Sequence, residues 1–371
     1  MNYYHTLSLI IPCYNEEDTI EPCVEKVLKI SEKQDFNLEL VIVNDASTDK
    51  SLEKINKLSE KHPEIKVLSH EKNMGKGAAL RTGLTNATGD YIGIQDADEE
   101  YNPFEYSTLL DTMITKNADV VYGSRYLKPS NHRVLYFWHT WMNKKLTLVS
   151  NMFTNLDITD METCYKLFKK EVIQEVAPKL KENRFGFEPE VTVRIAQGGY
   201  EVYECAISYN PRSYEEGKKI GWKDGVRALY CLFHYGADTS PYPMQILIYL
   251  FIGTVAAIVN MLAFYLLIQS GVETNISVLV AFVLSAFTNY ILCILILFQH
   301  RARWNTFGEI LMYLLTITLM GGFDFGVVFG LTYLSVGLFK AKFWAIILGF
   351  IGNFVLRRWL VFPSKRKIKK I

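Results

Sequence analysis

The chain has 371 residues, with 40 basic and 39 acidic side chains and a formal charge of +1. That length allows two domains of ordinary size, and the summed charge says little by itself; no nucleic-acid partner is expected. Distribution says more than the sum. Charged residues crowd the first two thirds, whereas residues 244–361 are mostly apolar, so a soluble part is joined to a membrane part. The six cysteines form no CxxC pair and no zinc-like cluster, which fits reduced thiols in a cytosolic compartment. Residues 7–12 are too short for the apolar core of a signal peptide, so the first domain is expected to stay on the cytosolic side.

In chain order, residues 7–11 read as a short apolar strand and 17–31 carry helical periodicity. A second strand and helix follow at 38–43 and 51–61, then a strand at 65–69 and a helix at 77–85. A strand at 91–94, a helix near 104–115 and a strand at 120–123 continue the pattern. Strands alternating with helices predict a parallel sheet covered on both faces, with ligands at the carboxyl ends of the strands. Two later segments are expected to lie in a membrane interface. One is 133–153, with Tyr136, Phe137, Trp138 and Trp141 ahead of Lys144 and Lys145. The other is 222–235, where Trp222, Val226, Leu229 and Phe233 share a face flanked by Lys223 and Arg227.

Four spans are expected, at about 244–268, 276–298, 308–335 and 343–362, each reaching the roughly 20 residues a bilayer core requires. Arg301 and Arg303 lie between spans two and three. Arg357, Arg358, Lys365, Arg366, Lys367, Lys369 and Lys370 lie at and beyond the end of span four. The loop 269–275 has no basic residue, while Lys340 and Lys342 run against the trend. The positive-inside bias then puts both termini in the cytosol. The apolar part also repeats. A shift of 64 residues, the interval from Tyr249 to Tyr313, places Leu250 on Leu314, Asn289 on Asn353 and Asn260 on Asp324. The polar coincidences are the informative ones, because polar groups are costly in lipid. Two copies of one helical hairpin in the same orientation are expected, with Asn260, Asn289, Asp324 and Asn353 facing the bundle interior.

The strongest chemical signal is Asp96-Ala97-Asp98, directly after the strand near 91–95. Two carboxylates one residue apart at a strand end suit a hard divalent cation shared with a diphosphate, offsetting charge as a nucleotide leaves. Pro12-Cys13-Tyr14-Asn15-Glu16-Glu17 follows the first strand, and Asn44-Asp45-Ala46-Ser47-Thr48-Asp49 the second. Carboxylates there suit a base N–H or ribose hydroxyls; Asp49 and Ser51 equally suit a helix N-cap. Asn73-Met74-Gly75-Lys76-Gly77 is a Gly-rich turn before a helix, with a lysine suited to an anion but without P-loop spacing.

In this order, the motifs resemble family-2 glycosyltransferases with the GT-A fold, and more narrowly the dolichyl-phosphate mannosyltransferase group, over roughly residues 6–235. The resemblance implies a Rossmann-like α/β catalytic domain across residues 1–235. It implies a nucleotide-sugar site built from Pro12, Tyr14, Asn15, Glu16, Asp45, Lys76, Asp96 and Ala97. Mg2+ or Mn2+ would sit on Asp96 and Asp98, joined by Glu100 where the family commonly has glutamine. Gly123-Ser124-Arg125 matches the acceptor turn, which implies Ser124 and Arg125 at the acceptor phosphate and catalytic roles for Asp98 and Arg125. Arg133, Lys144 and Lys145 are candidates for a second acceptor cation. Arg212 and Lys218 stand where the family carries a diphosphate loop, with altered spacing. The stretch from Asp160 to Lys166 replaces a more usual Gly-rich one. Residues 236–371 resemble GtrA-like domains of four transmembrane helices, which are associated with moving or seating polyprenyl-linked sugars.

The expected reaction is transfer of a hexose from GDP-mannose, UDP-glucose or UDP-GlcNAc to dolichyl or undecaprenyl phosphate, by one in-line displacement with inversion. The nucleophile is a phosphate oxygen, ionised near neutral pH because its second pKa is about 6, so no strong general base is required. Glu188 and Glu190 are further candidates to line the site. Two rivals stand beside this reading. A processive polysaccharide synthase would carry Gln-x-x-Arg-Trp, and Arg358-Trp359 lacks the glutamine. A non-catalytic lipid-sugar translocator is disfavoured by the intact carboxylate pair and basic loops. A homo-oligomer is left open.

Overall fold

The computed structural model describes residues 5–31, 36–127, 133–211, 221–298 and 306–361. They form two compact units that divide after Gly236.

The first unit runs β1 (Thr6–Cys13), α1 (Ile20–Ser31), β2 (Asn37–Asn44), α2 (Ser51–Lys61), β3 (Ile65–Ser69), α3 (Lys76–Asn86) and β4 (Tyr91–Ile94). It continues with α4 (Tyr106–Thr115), β5 (Val120–Ser124), α5 (Phe137–Thr154), β6 (Lys166–Lys169), α6 (Lys170–Val176), α7 (Phe187–Gly198), β7 (Val202–Ala206) and α8 (Trp222–Gly236). Seven strands form one sheet in the order β3-β2-β1-β4-β6-β5-β7. β1 shows why the sheet is covered twice. Leu7, Leu9 and Ile11 belong to the core under α1, α2 and α4, while Ile10 belongs to the core under α3, α6 and α7. Side chains alternate across a strand, so a continuous apolar run requires an apolar layer on each face. α2 answers with Ser51, Ile55 and Leu58 on its buried stripe. Fully burying each such aliphatic side chain is worth about 1.5–3 kcal/mol.

The sheet is mixed rather than parallel throughout. β6 runs antiparallel to both of its neighbours, β4 and β5. The reason is the route of the chain: residues 155–165 cross the carboxyl ends of the parallel strands, so the next strand starts there and must run back. Residues 160–165 are thereby held at the edge where β1, β2 and β4 end. α3 is brought onto the sheet by small residues. A Cβ on Gly83 would stand 2.2 Å from Ile10 Cγ2, so any side chain there would push α3 and its first residue, Lys76, off the strand ends.

α5 and α8 pack on each other, with Phe153 and Phe233 rings 4.8 Å apart. Their outer faces stay bare: Trp138 is 71% exposed and Trp222 77%. Phe233 shares the face of Trp222, Val226 and Leu229 along α8, as expected, but is half-buried because it meets Phe153 at the seam between the helices.

The second unit holds α9 (Tyr242–Gln269), α10 (Thr274–Leu292), α11 (Thr306–Tyr333) and α12 (Leu338–Leu356), paired α9 with α10 and α11 with α12. The 64-residue repeat is structural: both ends of α11 and of α12 fall 64 residues after those of α9 and α10. The turns match too, with Gly271 at φ 80° and Ser335 at φ 62° in equivalent places. Each hairpin ends in a wider turn of helix, Cys293–Phe298 and Arg357–Val361. Among the described residues, Tyr242–Gln269 and Leu279–Leu297 are long and apolar enough to cross a membrane, and Leu311–Met320 is a shorter apolar stretch. Arg301, Arg303, the basic tail from Lys365 and the side chains of Asp324 and Lys342 lie outside the described residues.

Candidate active site

The parallel register sets Cys13 beside Asn44, so the loops after β1 and β2 leave the sheet together. They are stitched to each other. The Asp45 N–H donates to Cys13 O at 2.8 Å, Asn15 N–H to Ser47 Oγ at 3.1 Å, and Thr48 N–H to Asn15 Oδ1 at 2.8 Å. Asn15, Ala46 and Glu99 have φ of 53°, 58° and 57°, one left-handed residue in each loop that follows β1, β2 and β4. Strain of this kind costs about 1–3 kcal/mol per residue and persists where surroundings enforce it, commonly at functional sites.

Asp45 holds the next loop in place. Its carboxylate accepts from His70 Nδ1 at 2.7 Å, Met74 N at 2.9 Å and Gly75 N at 2.7 Å. Gly75 has φ 97°, and a Cβ there would lie 2.4 Å from Asn183 O. The turn thus delivers Lys76 to the head of α3, where its ammonium meets Asp96 Oδ1 at 2.8 Å, Cys164 Sγ at 2.8 Å and Glu188 Oε1 at 3.7 Å. Burial alone would depress its pKa; the charges around it, Asp96 first, outweigh that and hold it well above the usual lysine range.

From the other side, Arg125 makes a two-pronged ion pair with the fully buried Asp160, Nε to Oδ2 at 2.7 Å and Nη2 to Oδ1 at 2.8 Å. Its guanidinium lies 5.0 Å from the Tyr209 ring, and the Tyr209 hydroxyl donates to Glu100 Oε2 at 2.9 Å. Glu162 sits between these groups. Burial, then the charge of Glu188, pushes its carboxyl up to about 8. Its Oε1 is buried without a hydrogen-bond partner. Beneath, Lys166 is buried and donates to Met161 O at 3.0 Å and to Thr163 O, clamping the loop that carries Glu162 and Cys164. One pocket of about 470 Å3 gathers Asp96, Asp98, Glu100, Lys76, Arg125 and Glu162.

Two family models match the sequence, "Glycosyl transferase family 2" over residues 8–177 and "GtrA/DPMS, transmembrane domain" over residues 248–362. The chain is a family-2 glycosyltransferase joined to a GtrA/DPMS-type transmembrane domain. The glycosyltransferase is 26% identical over 362 residues to the dolichol-phosphate mannosyltransferase of Pyrococcus furiosus, covering 96% of this chain and 99% of that one. It is 30% identical over 217 residues to a dolichyl-phosphate beta-glucosyltransferase of Trichomonas vaginalis, covering 55% of this chain and 63% of that one. Glucosyl-3-phosphoglycerate synthase from Mycobacterium tuberculosis, solved with Mn2+, UDP and phosphoglyceric acid, aligns with 64% of this chain and 80% of its own at 17% identity and a TM-score of 0.48.

Of the residues singled out in the glycosyltransferase sequence, Pro12, Tyr14, Glu16, Asp45, Lys76, Asp96, Ala97, Asp98, Glu100 and Arg125 line one pocket. Asn15 stitches the loops instead of lining it. Ser124 does not reach it: the side chain is fully buried, its Oγ 2.6 Å from Thr159 Oγ1 and accepting from Tyr126 N, so it shapes the turn that aims Arg125. Arg133 is exposed, and Lys144 lies 5.5 Å from the Tyr126 ring, both away from the pocket lining. Arg212 and Lys218 lie outside the described residues. Glu188 borders the site through Lys76, whereas Glu190 accepts from Lys181 N and Glu182 N and pairs with Arg194, so it ties the preceding loop to α7. Sequence reasoning did not single out Glu162, Arg184 or Tyr209. The departure at residues 160–166 was the one signal for Glu162, and it became readable only once β6 fixed where that loop runs.

Proposed function

We propose that the protein transfers a hexose from a nucleotide-sugar to a polyprenyl phosphate, dolichyl or undecaprenyl, with inversion at the anomeric carbon. One observation carries the reading: carboxylates that suit a cation and two restrained cations that suit phosphate share one pocket at the strand ends. The names of the relatives, a dolichol-phosphate mannosyltransferase and a dolichyl-phosphate beta-glucosyltransferase, support the acceptor class.

The nucleoside is received by Pro12, Tyr14, Glu16 and the Asp45 loop, and Lys76 faces the diphosphate. Asp96, Asp98 and Glu100 fit Mg2+ or Mn2+ by donor chemistry, since such ions take hard carboxylate oxygens and complete their shell with substrate phosphates. Among the described residues no three acidic, His or Cys side chains already converge on one point, as expected when part of the shell arrives with the donor. Bound there, the cation supplies charge neutralisation for the leaving diphosphate. Arg125, locked by Asp160, orients the acceptor phosphate, because a guanidinium fork matches phosphate oxygens. The acceptor oxygen bonds to C1 as the bond from C1 to the diphosphate oxygen breaks; the nucleoside diphosphate departs with that electron pair. Glu162, kept protonated near neutral pH, adds no negative charge to a pocket that must take two phosphate-bearing substrates. The protein's contribution is position and charge.

α9 to α12 each cross the membrane, with the catalytic unit and the end of α12 on the cytosolic side. This topology rests on the basic residues at Arg301, Arg303 and beyond Arg357. Membranes containing the protein, incubated separately with radiolabelled GDP-mannose, UDP-glucose and UDP-GlcNAc, are expected to yield an acid-labile labelled lipid from one donor. No labelled lipid from any of them, with the lipid phosphate supplied, sinks the reading.

A further inference from the structure

One loop joins the two cationic ends of the pocket in the first unit. Asp160 holds Arg125 through contacts of 2.7 and 2.8 Å, and further along the loop Cys164 Sγ lies 2.8 Å from the Lys76 ammonium. Glu162 is midway between them in the chain. Along this stretch the side chains alternate. Met161, Thr163 and Tyr165 are fully buried, whereas Glu162 and Cys164 are partly exposed and line the pocket. The backbone under Glu162 is pinned. Lys166 Nζ donates to the carbonyls on either side of it, Met161 O and Thr163 O, and Met161 N donates to Thr147 Oγ1 at 3.1 Å. The Glu162 carboxyl is therefore held in place, yet its Oε1 is buried without a hydrogen-bond partner among the described residues.

A buried polar atom that meets nothing in the folded chain is costly, and in a pocket wall its partner can arrive with a ligand. The charges at either end say which part of the ligand that is. Phosphates belong at the two cations, Lys76 at one end and Arg125 at the other. In the in-line displacement proposed above, the leaving and attacking phosphate oxygens stand on opposite sides of C1. The hexose therefore lies between those ends, against Glu162. A sugar presents hydroxyls there, each both a donor and an acceptor. Burial, then the charge of Glu188, holds the Glu162 carboxyl protonated near neutral pH, so it too offers one donor and one acceptor. A carboxylate at this place would repel the phosphates that flank the sugar, whereas a neutral carboxyl does not.

We propose that Glu162 is a specificity residue for the donor, its carboxyl bonding one hydroxyl of the transferred hexose. The place of the hexose rests on the function proposed above. The test measures binding to the full-length protein in detergent with Mn2+, by isothermal titration calorimetry. The probes are GDP-mannose, UDP-glucose and UDP-GlcNAc, each beside its own nucleoside diphosphate. Monodeoxy forms of the tightest-binding donor follow, each lacking one hydroxyl of the hexose. Glu162→Met keeps the length of the side chain but not its hydrogen bonds. It should bind that donor about tenfold more weakly and the nucleoside diphosphate as before. Glu162→Gln, whose amide both donates and accepts, should restore most of the loss, and Glu162→Ala stands in if Glu162→Met does not reach the membrane. One monodeoxy donor should bind the unsubstituted protein about tenfold more weakly than the parent donor does. In Glu162→Met the same deletion should cost nothing further, because groups in contact couple.

Unchanged donor affinity in Glu162→Met overturns the proposal. An equal loss for the nucleoside diphosphate would make Glu162 a support for its loop. A loss confined to the KM for polyprenyl phosphate would place it at the acceptor. Monodeoxy donors that lose as much in Glu162→Met as in the unsubstituted protein would show that no hydroxyl meets the carboxyl. Each of these contradicts the assignment. Hexosyl transfer to polyprenyl phosphate, measured on the same samples, separates the two readings. The expected binding pattern without transfer sinks only the proposed function, and transfer with unchanged donor affinity in Glu162→Met sinks only this inference.

Discussion

The two units bury charge in opposite ways. In the first, Arg125 meets Asp160 and Lys76 meets Asp96. In the second, Arg357 meets an amide and two aromatic rings. The first arrangement is made by loops far apart in sequence, brought together at the strand ends. The second lies between two copies of a helical hairpin, at a position where one copy has Cys293 and the other Arg357. Buried charge paired with a carboxylate organises the first site, whereas Arg357 is held by an amide and rings and meets no carboxylate among the described residues.

The comparison breaks most visibly at the carboxylates. Asp96→Asn and Asp98→Asn should each lower hexosyl transfer by roughly 100-fold or more, the scale of losing one group that stabilises developing charge. Circular dichroism and membrane recovery should stay normal. Near-normal turnover in both variants, with metal dependence intact, would remove the metal role. Asp160→Ala leaves Arg125 buried alone and should cost about 3–5 kcal/mol of stability, read as a fall in melting temperature of the detergent-solubilised protein. Arg125→Ala should raise the KM for the lipid phosphate by about tenfold while leaving that for the nucleotide-sugar little changed. A rise in the donor KM alone would assign Arg125 to the donor.

Gly75→Ala should destabilise by about 1–3 kcal/mol, since φ 97° disfavours any Cβ and Asn183 O stands in its way. Glu162 gives a pH test. Its pKa rises from 4.5 to about 8 on folding, so the folded state holds the proton that the unfolded state loses. Its contribution is fully present below pH 4.5 and is lost as pH rises toward 8. Glu162→Gln should flatten that slope in melting temperature; an unchanged slope would mean the carboxyl ionises freely. The smallest effect is expected in the second unit. Arg357→Met removes a buried charge that meets no carboxylate among the described residues and should change stability by less than about 1 kcal/mol, or raise it. A loss as large as that of Asp160→Ala would show that Arg357 is structurally paired after all.

Much of the candidate site was legible because its pieces are local. Asp96, Asp98 and Lys76 each follow a strand or open a helix, and strand ends can be found from periodicity and turn residues. The 64-residue repeat was equally open, since polar residues recurring in apolar helices are rarely accidental. What could not be read depends on pairing across the sheet. No pattern in Lys166–Lys169 says that it inserts antiparallel between β4 and β5. Without that, Glu162 has no position and Arg125 no partner. Ser124 misled for the same reason: its place in a motif was visible, but not that the chain folds over it.

The most direct test of the account is release of nucleoside diphosphate by the purified full-length protein, with and without polyprenyl phosphate. Release should require the lipid phosphate, fail with the corresponding polyprenol, and be matched by a hexosyl-phosphate lipid whose anomeric configuration is opposite to the donor's. Equal release without the lipid, or a product that retains the donor's configuration, would contradict direct attack by a phosphate oxygen.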